Sequence, residues 1–297
     1  MTRSLSARAL LTDAVDLHVH PAPSPYPRRL TVGEAAEDAG AAGMRAIVIK
    51  SHHNPTASDA AGANADANGR GRAEVFGGIV LNSYVGGFNA DAVNVALGLG
   101  GRIVWLPTVS SPLHLARQGK VRFPTATTRL RPAQPVEAWT RGGSLRSAVK
   151  AVLREVAAAD AVLASGHLDP DSIVAIFEEA RRLGVRRLLV NHPNFIVNAS
   201  RAEVRKMVEL GAYVEHVSCH YDARSRYFNF TATTLARWIR AIGPERSLLA
   251  SDLGQADNPL PADSLVTVAR LLHAVGFTSR ELRALTVDNP TSVLGLE

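Results

Sequence analysis

The sequence predicts an α/β fold, specifically a (β/α)8 TIM barrel. Two observations carry this expectation. Short apolar runs of the kind that form buried parallel strands recur eight times along the chain. Helical patterns separate them, so strand and helix alternate from one end to the other. A doubly wound open sheet is the rival. It does not normally need eight strands in strict alternation, and no glycine-rich phosphate turn follows the first strand. The 297 residues suit one such barrel and no boundary forces a split, so residues 1–297 are expected to form a single domain.

The first strand is Val15-Asp16-Leu17-His18-Val19-His20. Alternate side chains of an extended strand share a face, so His18 and His20 point the same way, about 7 Å apart along the strand. Two imidazoles so placed can grip one metal ion, although a motif this short is, taken alone, as readily a chance pair on an exposed strand. Residues 21–27 are too proline-rich for helix or strand and form a loop. Thr31 then caps a helix over residues 31–42, with Glu34 as its capping-box partner and Gly43 closing it.

The second strand covers residues 45–50 and runs into Ser51-His52-His53. The third covers 74–82 and the fourth 102–108, with a helix over 89–97 between them. Strands five to eight follow at 161–167, 187–192, 212–218 and 247–252, each preceded by a helix, over 147–158, 170–183, 201–210 and 233–242. Helices over 265–275 and 279–287 close the chain.

Residues 111–146, after the fourth strand, form a long basic loop carrying Arg117, Lys120, Arg122, Arg129, Arg131, Arg141 and Arg146 against the single acid Glu137. A loop of this length is either a lid, here over the barrel mouth with arginines facing an anionic substrate, or a solvated basic surface.

Composition narrows the function classes. A net charge of +6 is modest for 297 residues, and with only 5% aromatic residues and no basic stripe interleaved with aromatics nucleic acid is not expected as a partner. The single cysteine, Cys219, excludes an internal disulfide and a thiolate zinc cluster, and is read as a small buried residue rather than a nucleophile. No apolar run matches a secretory leader or a membrane span, so a cytoplasmic protein acting on a small molecule, with no membrane partner, is expected; a homo-oligomer is compatible with this.

In a barrel the C-terminal ends of the strands share one face, where the chemistry sits. Those ends bring His18 and His20, Lys50 and His52, Thr108, His167, His192, Glu215 and His216, and Asp252. A lone histidine at a strand end is usually a hydrogen-bonded structural residue. Four histidines and an aspartate at the strand ends of one barrel point instead to a shared metal.

The motifs His18-Val19-His20, Ser165-Gly166-His167, Asn191-His192-Pro193 and Ala250-Ser251-Asp252, with the tail Asp288-Asn289-Pro290-Thr291-Ser292-Val293-Leu294-Gly295-Leu296, span the chain. Together they resemble the amidohydrolase superfamily, and within it an uncharacterised group. The resemblance implies that His18, His20, His167, His192 and Asp252 hold a divalent metal, zinc first, with manganese, iron or nickel as alternatives and one or two ions. One departure is clear: the bridging lysine or glutamate usual at the end of the fourth strand is absent, and Thr108 stands there. Lys50, His52 and Glu215 are the candidates to hold a second ion or to orient the ligands of the first. His53, His114 and His273 are read as non-ligands.

This set implies a metal-dependent hydrolase of an amide, ester or cyclic amide. Asp252 serves as general base and Lys50 helps to polarise the scissile group. Non-oxidative decarboxylation of a small carboxylic acid, phosphotriesterase- or lactonase-like hydrolysis, and a regulatory barrel without catalysis are the alternatives. Asn82, His220, Arg224 and Arg226 are the candidate substrate-binding residues.

Overall fold

A computed structural model describes residues 10–66, 71–117 and 125–296. Lys120 and Arg122 of the basic loop, and most of the N-terminal stretch examined for a leader, lie outside the described residues. The chain divides into two compact units, one of Met1–Ile49, Asp59–Phe76 and His216–Glu297, the other of Lys50–Ser58 and Gly77–Glu215. Among the described residues no helix is long and apolar enough to cross a membrane.

The first unit contains β1 (Val15–Val19), α1 (Val32–Ala41) and β2 (Ala46–Ile49). The helix α2 (Ala57–Ala65) starts in the second unit and continues into the first, where β3 (Glu74–Phe76) follows. β1, β2 and β3 pair in parallel in that order. The capping box foreseen at α1 is present: the Glu34 amide donates to Thr31 Oγ1 at 3.3 Å, and the Thr31 amide to Glu34 Oε2 at 2.7 Å. α2 was not foreseen, because its Ala-Gly-Asn composition carries no apolar stripe. Asn64, on that helix, ties to the main chain of Val75 through both of its amide atoms, at 2.8 and 2.9 Å.

The second unit holds β4 (Gly78–Val80), α3 (Ala90–Gly98), β5 (Ile103–Trp105), α4 (Pro112–Arg117), α5 (Ser147–Ala158), β6 (Val162–Ala164), α6 (Pro170–Arg182), β7 (Arg187–Asn191) and α7 (Arg201–Glu209). Its strands are parallel and in register, so Ile79, Val104, Leu163 and Leu188 align across four of them, each buried. Such rows are wholly apolar because a parallel sheet is covered on both faces. The helices bury one stripe each, as with Val149, Val152, Leu153 and Val156 of α5.

The third apolar run is two strands rather than one. A Cβ at Gly77 would lie 2.4 Å from the Thr56 carbonyl oxygen, and the Gly78 amide donates to Thr56 Oγ1 at 3.0 Å. The chain therefore turns aside from strand pairing at Gly77, with β3 paired to β2 on one side and β4 to β5 on the other.

β8 (Tyr213–Val217) begins in the second unit, where Asn191 of β7 pairs with Glu215, and its last two residues belong to the first. The remaining elements, all in the first unit, are α8 (Ala232–Ile242), β9 (Ser247–Ala250), α9 (Pro261–Ala274), α10 (Ser279–Arg283) and α11 (Asn289–Leu294). α9 starts four residues before the expected position because Leu260 and Pro261 initiate it, proline being suited to a first helical turn. The core of this unit joins Val19, Ile47 and Ile49 of the strands to Ala35, Ala36 and Ala39 of α1 and Leu265, Val268 and Leu272 of α9.

The basic loop is anchored along the second unit. Val136 and Ala138 are buried, the Val136 amide donates to the Ser110 carbonyl at 2.9 Å, and the Trp139 indole donates to Ser172 Oγ at 2.9 Å. Arg146 donates to the Trp139 carbonyl at 2.9 Å and Arg117 to the carbonyls of Ile196 and Val197, so both serve the fold. Arg129, Arg131 and Arg141 are exposed.

His216 of β8 is fully buried, and neither of its ring nitrogens meets a hydrogen-bond partner among the described residues. Burial pushes its imidazole down to about 3, so it is neutral in the folded chain. An unfolded histidine protonates near pH 6.5. Between these values the unfolded chain binds the extra proton, and stability falls as the pH falls. Urea titrations of wild type and His216→Leu should diverge below pH 6.5, the wild type losing about 1.4 kcal/mol more per pH unit. Parallel profiles would show that His216 protonates freely in the folded state.

Candidate metal centre

In the first unit three donor atoms meet. Asp252 Oδ1 lies 3.1 Å from His18 Nε2 and 3.0 Å from His20 Nε2. Both imidazoles thus reach one carboxylate oxygen, as the two-residue strand period requires. Burial outweighs the attraction of Asp252 and holds His20 down to about 3, which keeps its imidazole neutral, the form that ligates metal. Metal–ligand bonds of 2.0–2.2 Å place neighbouring ligand atoms roughly 3 Å apart, so the donor types and their separations suit a first-row divalent ion.

The backbone fixes this arrangement. Asp16, fully buried in β1, accepts the amides of His18 at 3.0 Å and Ser251 at 2.9 Å on Oδ1. These bonds compensate for the pairing that β1 loses where its register with β2 shifts, between Asp16 and Val19. The His18 carbonyl accepts the Asp252 amide at 2.8 Å and the Ser251 hydroxyl at 2.9 Å. Asp252 itself has φ +54°, an uncommon conformation for a residue with a side chain. Gly254, at φ +132°, follows because a Cβ there would lie 2.1 Å from the His20 carbonyl oxygen. Asp252 is the open member of the group, its side chain 20% exposed against 1% for His18 and 3% for His20.

His220 and Cys219 lie beside it: one donor atom from each of Cys219, His220 and Asp252 falls within 4.8 Å of the others. His220 Nδ1 donates to the Tyr227 carbonyl at 3.0 Å, and burial pulls its pKa down. His220, expected as a substrate contact, therefore sits among potential ligands. Cys219 is buried, with Sγ 4.0 Å from Asp252 Oδ2.

In the second unit His167 and His192 are ring neighbours, their centroids 5.1 Å apart. His167 also stacks on His114, with planes 7° apart and the two Nδ1 atoms 2.8 Å apart. One of those two nitrogens donates to the other, and burial lowers the pKa of His114 to about 4, which keeps its imidazole neutral. Ser111 completes the support, its hydroxyl donating to the His167 carbonyl at 2.7 Å and accepting the His114 amide at 3.0 Å. Glu215 acts through Asn191, whose Nδ2 donates to Glu215 Oε1 at 3.0 Å while its Oδ1 accepts the Gly166 amide at 3.1 Å. Lys50, buried, places its ammonium 5.3 Å from the centre of the Trp105 ring.

Asn82, Arg224 and Arg226 have partners inside the protein. Asn82 is fully buried; it accepts the amides of Thr108 and Ser110 and donates to Thr108 Oγ1 and the His52 carbonyl. His52 Nδ1 meets the same Thr108 hydroxyl at 2.9 Å. Arg224 is held by Asp222, at 3.0 and 2.7 Å, and by Thr267, while Arg226 lies 3.3 Å from Asp257. Thr108 thus belongs to a hydrogen-bonded hub in the place where a bridging ligand was sought. His53 packs on Tyr84, and His273 meets the Phe277 carbonyl at a helix end.

The model of a family of unknown function, DUF6282, matches residues 13–215. The chain belongs to the DUF6282 family. No curated protein matches the sequence. Among solved structures, this DUF6282 chain is similar to an amidohydrolase from Pseudomonas aeruginosa at 13% identity and a TM-score of 0.64, covering 97% of each chain. It is also similar to an organophosphorus hydrolase from Deinococcus radiodurans, at 13% identity and a TM-score of 0.55, covering 97% of this chain and 94% of that one. A third is a 2,6-dihydroxybenzoate decarboxylase from Rhizobium, at 12% identity and a TM-score of 0.53, covering 96% and 99%. These likenesses show the fold alone, a (β/α)8 barrel. Fold does not specify the reaction, and three chemistries are named among these neighbours.

Two substitutions test the supporting framework. Gly254→Ala should cost about 1–3 kcal/mol of stability in chemical denaturation, since the His20 carbonyl must move. A neutral result would mean that the loop relaxes freely. His114→Phe keeps a ring against His167 but removes the Nδ1 partner. Zinc affinity measured with a competing chelator should fall 10–100-fold, and unchanged affinity would reduce His114 to a packing role.

Proposed function

We propose that this DUF6282 protein is a metal-dependent enzyme that hydrolyses an amide, ester or cyclic amide of a small molecule. The observation that carries the proposal is the convergence of His18 Nε2 and His20 Nε2 on Asp252 Oδ1. The proposed ligands of the first unit are His18, His20 and Asp252, and those of the second unit are His167 and His192. A divalent ion there, zinc first, supplies Lewis acidity and a lowered pKa for water.

The chain's own residues do the rest. Asp252, the most exposed of its group, takes the proton of the attacking water and returns it to the leaving group. His18 and His20, sealed from solvent, act as ligands, and burial keeps the His20 imidazole neutral, so the proton transfer falls to Asp252. Asp16 and Ser251 hold the two strand ends so that Asp252 keeps its position through the cycle. Lys50 is proposed to meet a substrate oxygen, and Glu215 to orient the loop that carries His167 through Asn191.

Elemental analysis of the purified protein should find one transition metal per chain in wild type, in Lys50→Ala and in Glu215→Ala, and loss of it in His18→Ala. Asp252→Asn should lower turnover at least a hundredfold. Protein without bound metal, or an Asp252→Asn variant of full activity, would overturn the proposal. Release of carbon dioxide without incorporation of oxygen from labelled water would assign the chain to decarboxylation instead.

A further inference from the structure

Four arginines of the first unit lie on the loops after β1 and β8, and three are engaged. Arg29 donates to the Asn258 carbonyl at 2.5 Å, Arg224 to Asp222, and Arg226 to Asp257 at 3.3 Å. Arg28 differs. Its side chain is half-buried, its Nε is sealed from solvent, and no described residue accepts a hydrogen bond from that atom. Among the described residues no carboxylate forms an ion pair with it.

The backbone clamps Arg28 in place. It bridges Gln255 in antiparallel fashion, the Arg29 amide donates to the Gly254 carbonyl at 2.8 Å, and the Ala256 amide to the Pro27 carbonyl at 3.2 Å. The loop on which it is fastened is the one that follows Asp252. Its charge is felt at His20, and the Asp252 carboxylate favours its charged form. Burial pulls its own pKa down, the mark of a cation withdrawn from water without full compensation.

Keeping a guanidinium half out of water without a paired acid costs stability, so the free protein gains nothing from it. A ligand that brings the missing acceptors changes that balance. The guanidinium fork matches a carboxylate or phosphate group in two parallel hydrogen bonds, which a lysine cannot make. We infer that Arg28 is an anion receptor beside Asp252, and that the substrate carries an anionic oxygen group, carboxylate or phosphate, which Arg28 binds. The inference rests on the proposed function for the word substrate; anion binding itself does not depend on the metal.

The test is thermal unfolding of the full chain, both metal-loaded and treated with EDTA, with benzoate and inorganic phosphate as probes. Bound anion should raise the melting temperature of wild type in both forms, and the stronger probe distinguishes carboxylate from phosphate. Arg28→Met should melt higher than wild type without anion, because an uncompensated charge is gone, and should lose the shift. Arg28→Lys should retain the charge with a smaller shift. The inference is overturned if neither probe shifts EDTA-treated wild type, if Arg28→Met shifts equally, or if Arg28→Met melts lower and Arg28→Lys retains the full shift. If purified protein holds no metal while the Arg28-dependent shift persists, the hydrolase proposal fails and the anion site stands.

Discussion

The geometry of the first unit depends on one shared oxygen. Asp252 Oδ1 stands about equally far from two imidazole nitrogens, and most of the surrounding hydrogen bonds keep it there. Asp16 spends its carboxylate on the amides of His18 and Ser251, and Ser251 spends its hydroxyl on the His18 carbonyl. The two bonds of Ser251 join residues more than two hundred positions apart, closed where the strand bearing the histidines meets the strand bearing the aspartate. A buried carboxylate that accepts two amide protons is expensive to create and hard to move. It therefore holds a donor set with a precision that side-chain packing alone does not give.

The same logic explains why the site breaks local rules. A non-glycine residue at φ +54°, a carboxylate within a buried strand and a glycine pressed on a carbonyl are each unfavourable taken singly. They occur within a few residues of one another, at the ends of β1 and β9. The second unit repeats the pattern beside its histidines, with His192 at φ +20° and a Cβ at Gly166 that would lie 2.2 Å from the Leu106 carbonyl oxygen, while much of the chain follows its propensities: apolar parallel strands, striped helices and capping boxes at Thr31, Ser200 and Thr278.

That contrast decides what the sequence made legible. The strands and most helices were readable because period, caps and glycine stops act locally. The histidine pair was readable because a strand's two-residue period is invariant, and Asp252 because it ends an apolar run. The division of the third run at Gly77 was not, since the close approach of the Thr56 main chain to that glycine comes from a residue distant in sequence. Asp16 did leave a signal, an acid inside Val15-Asp16-Leu17, whose meaning needed the partner strand. His114 left none: within the basic loop it is read as a non-ligand, and only the fold stacks it on His167.

The arginines show the limit most clearly. From sequence, Arg224 and Arg226 are candidates for the substrate because aromatic and polar residues surround them, and nothing local distinguishes their charge from that of Arg28. What separates them is the partner each has, and partners are a tertiary property. Arg224 meets Asp222, two residues away, in a two-point ion pair, so its charge is already compensated. Arg28 sits between the proline-rich loop and the start of α1, with no acid immediately beside it in sequence, and burial removes its water without supplying an acceptor for its Nε. Charge count treats the two as alike, whereas desolvation without compensation singles out the one that a ligand can stabilise.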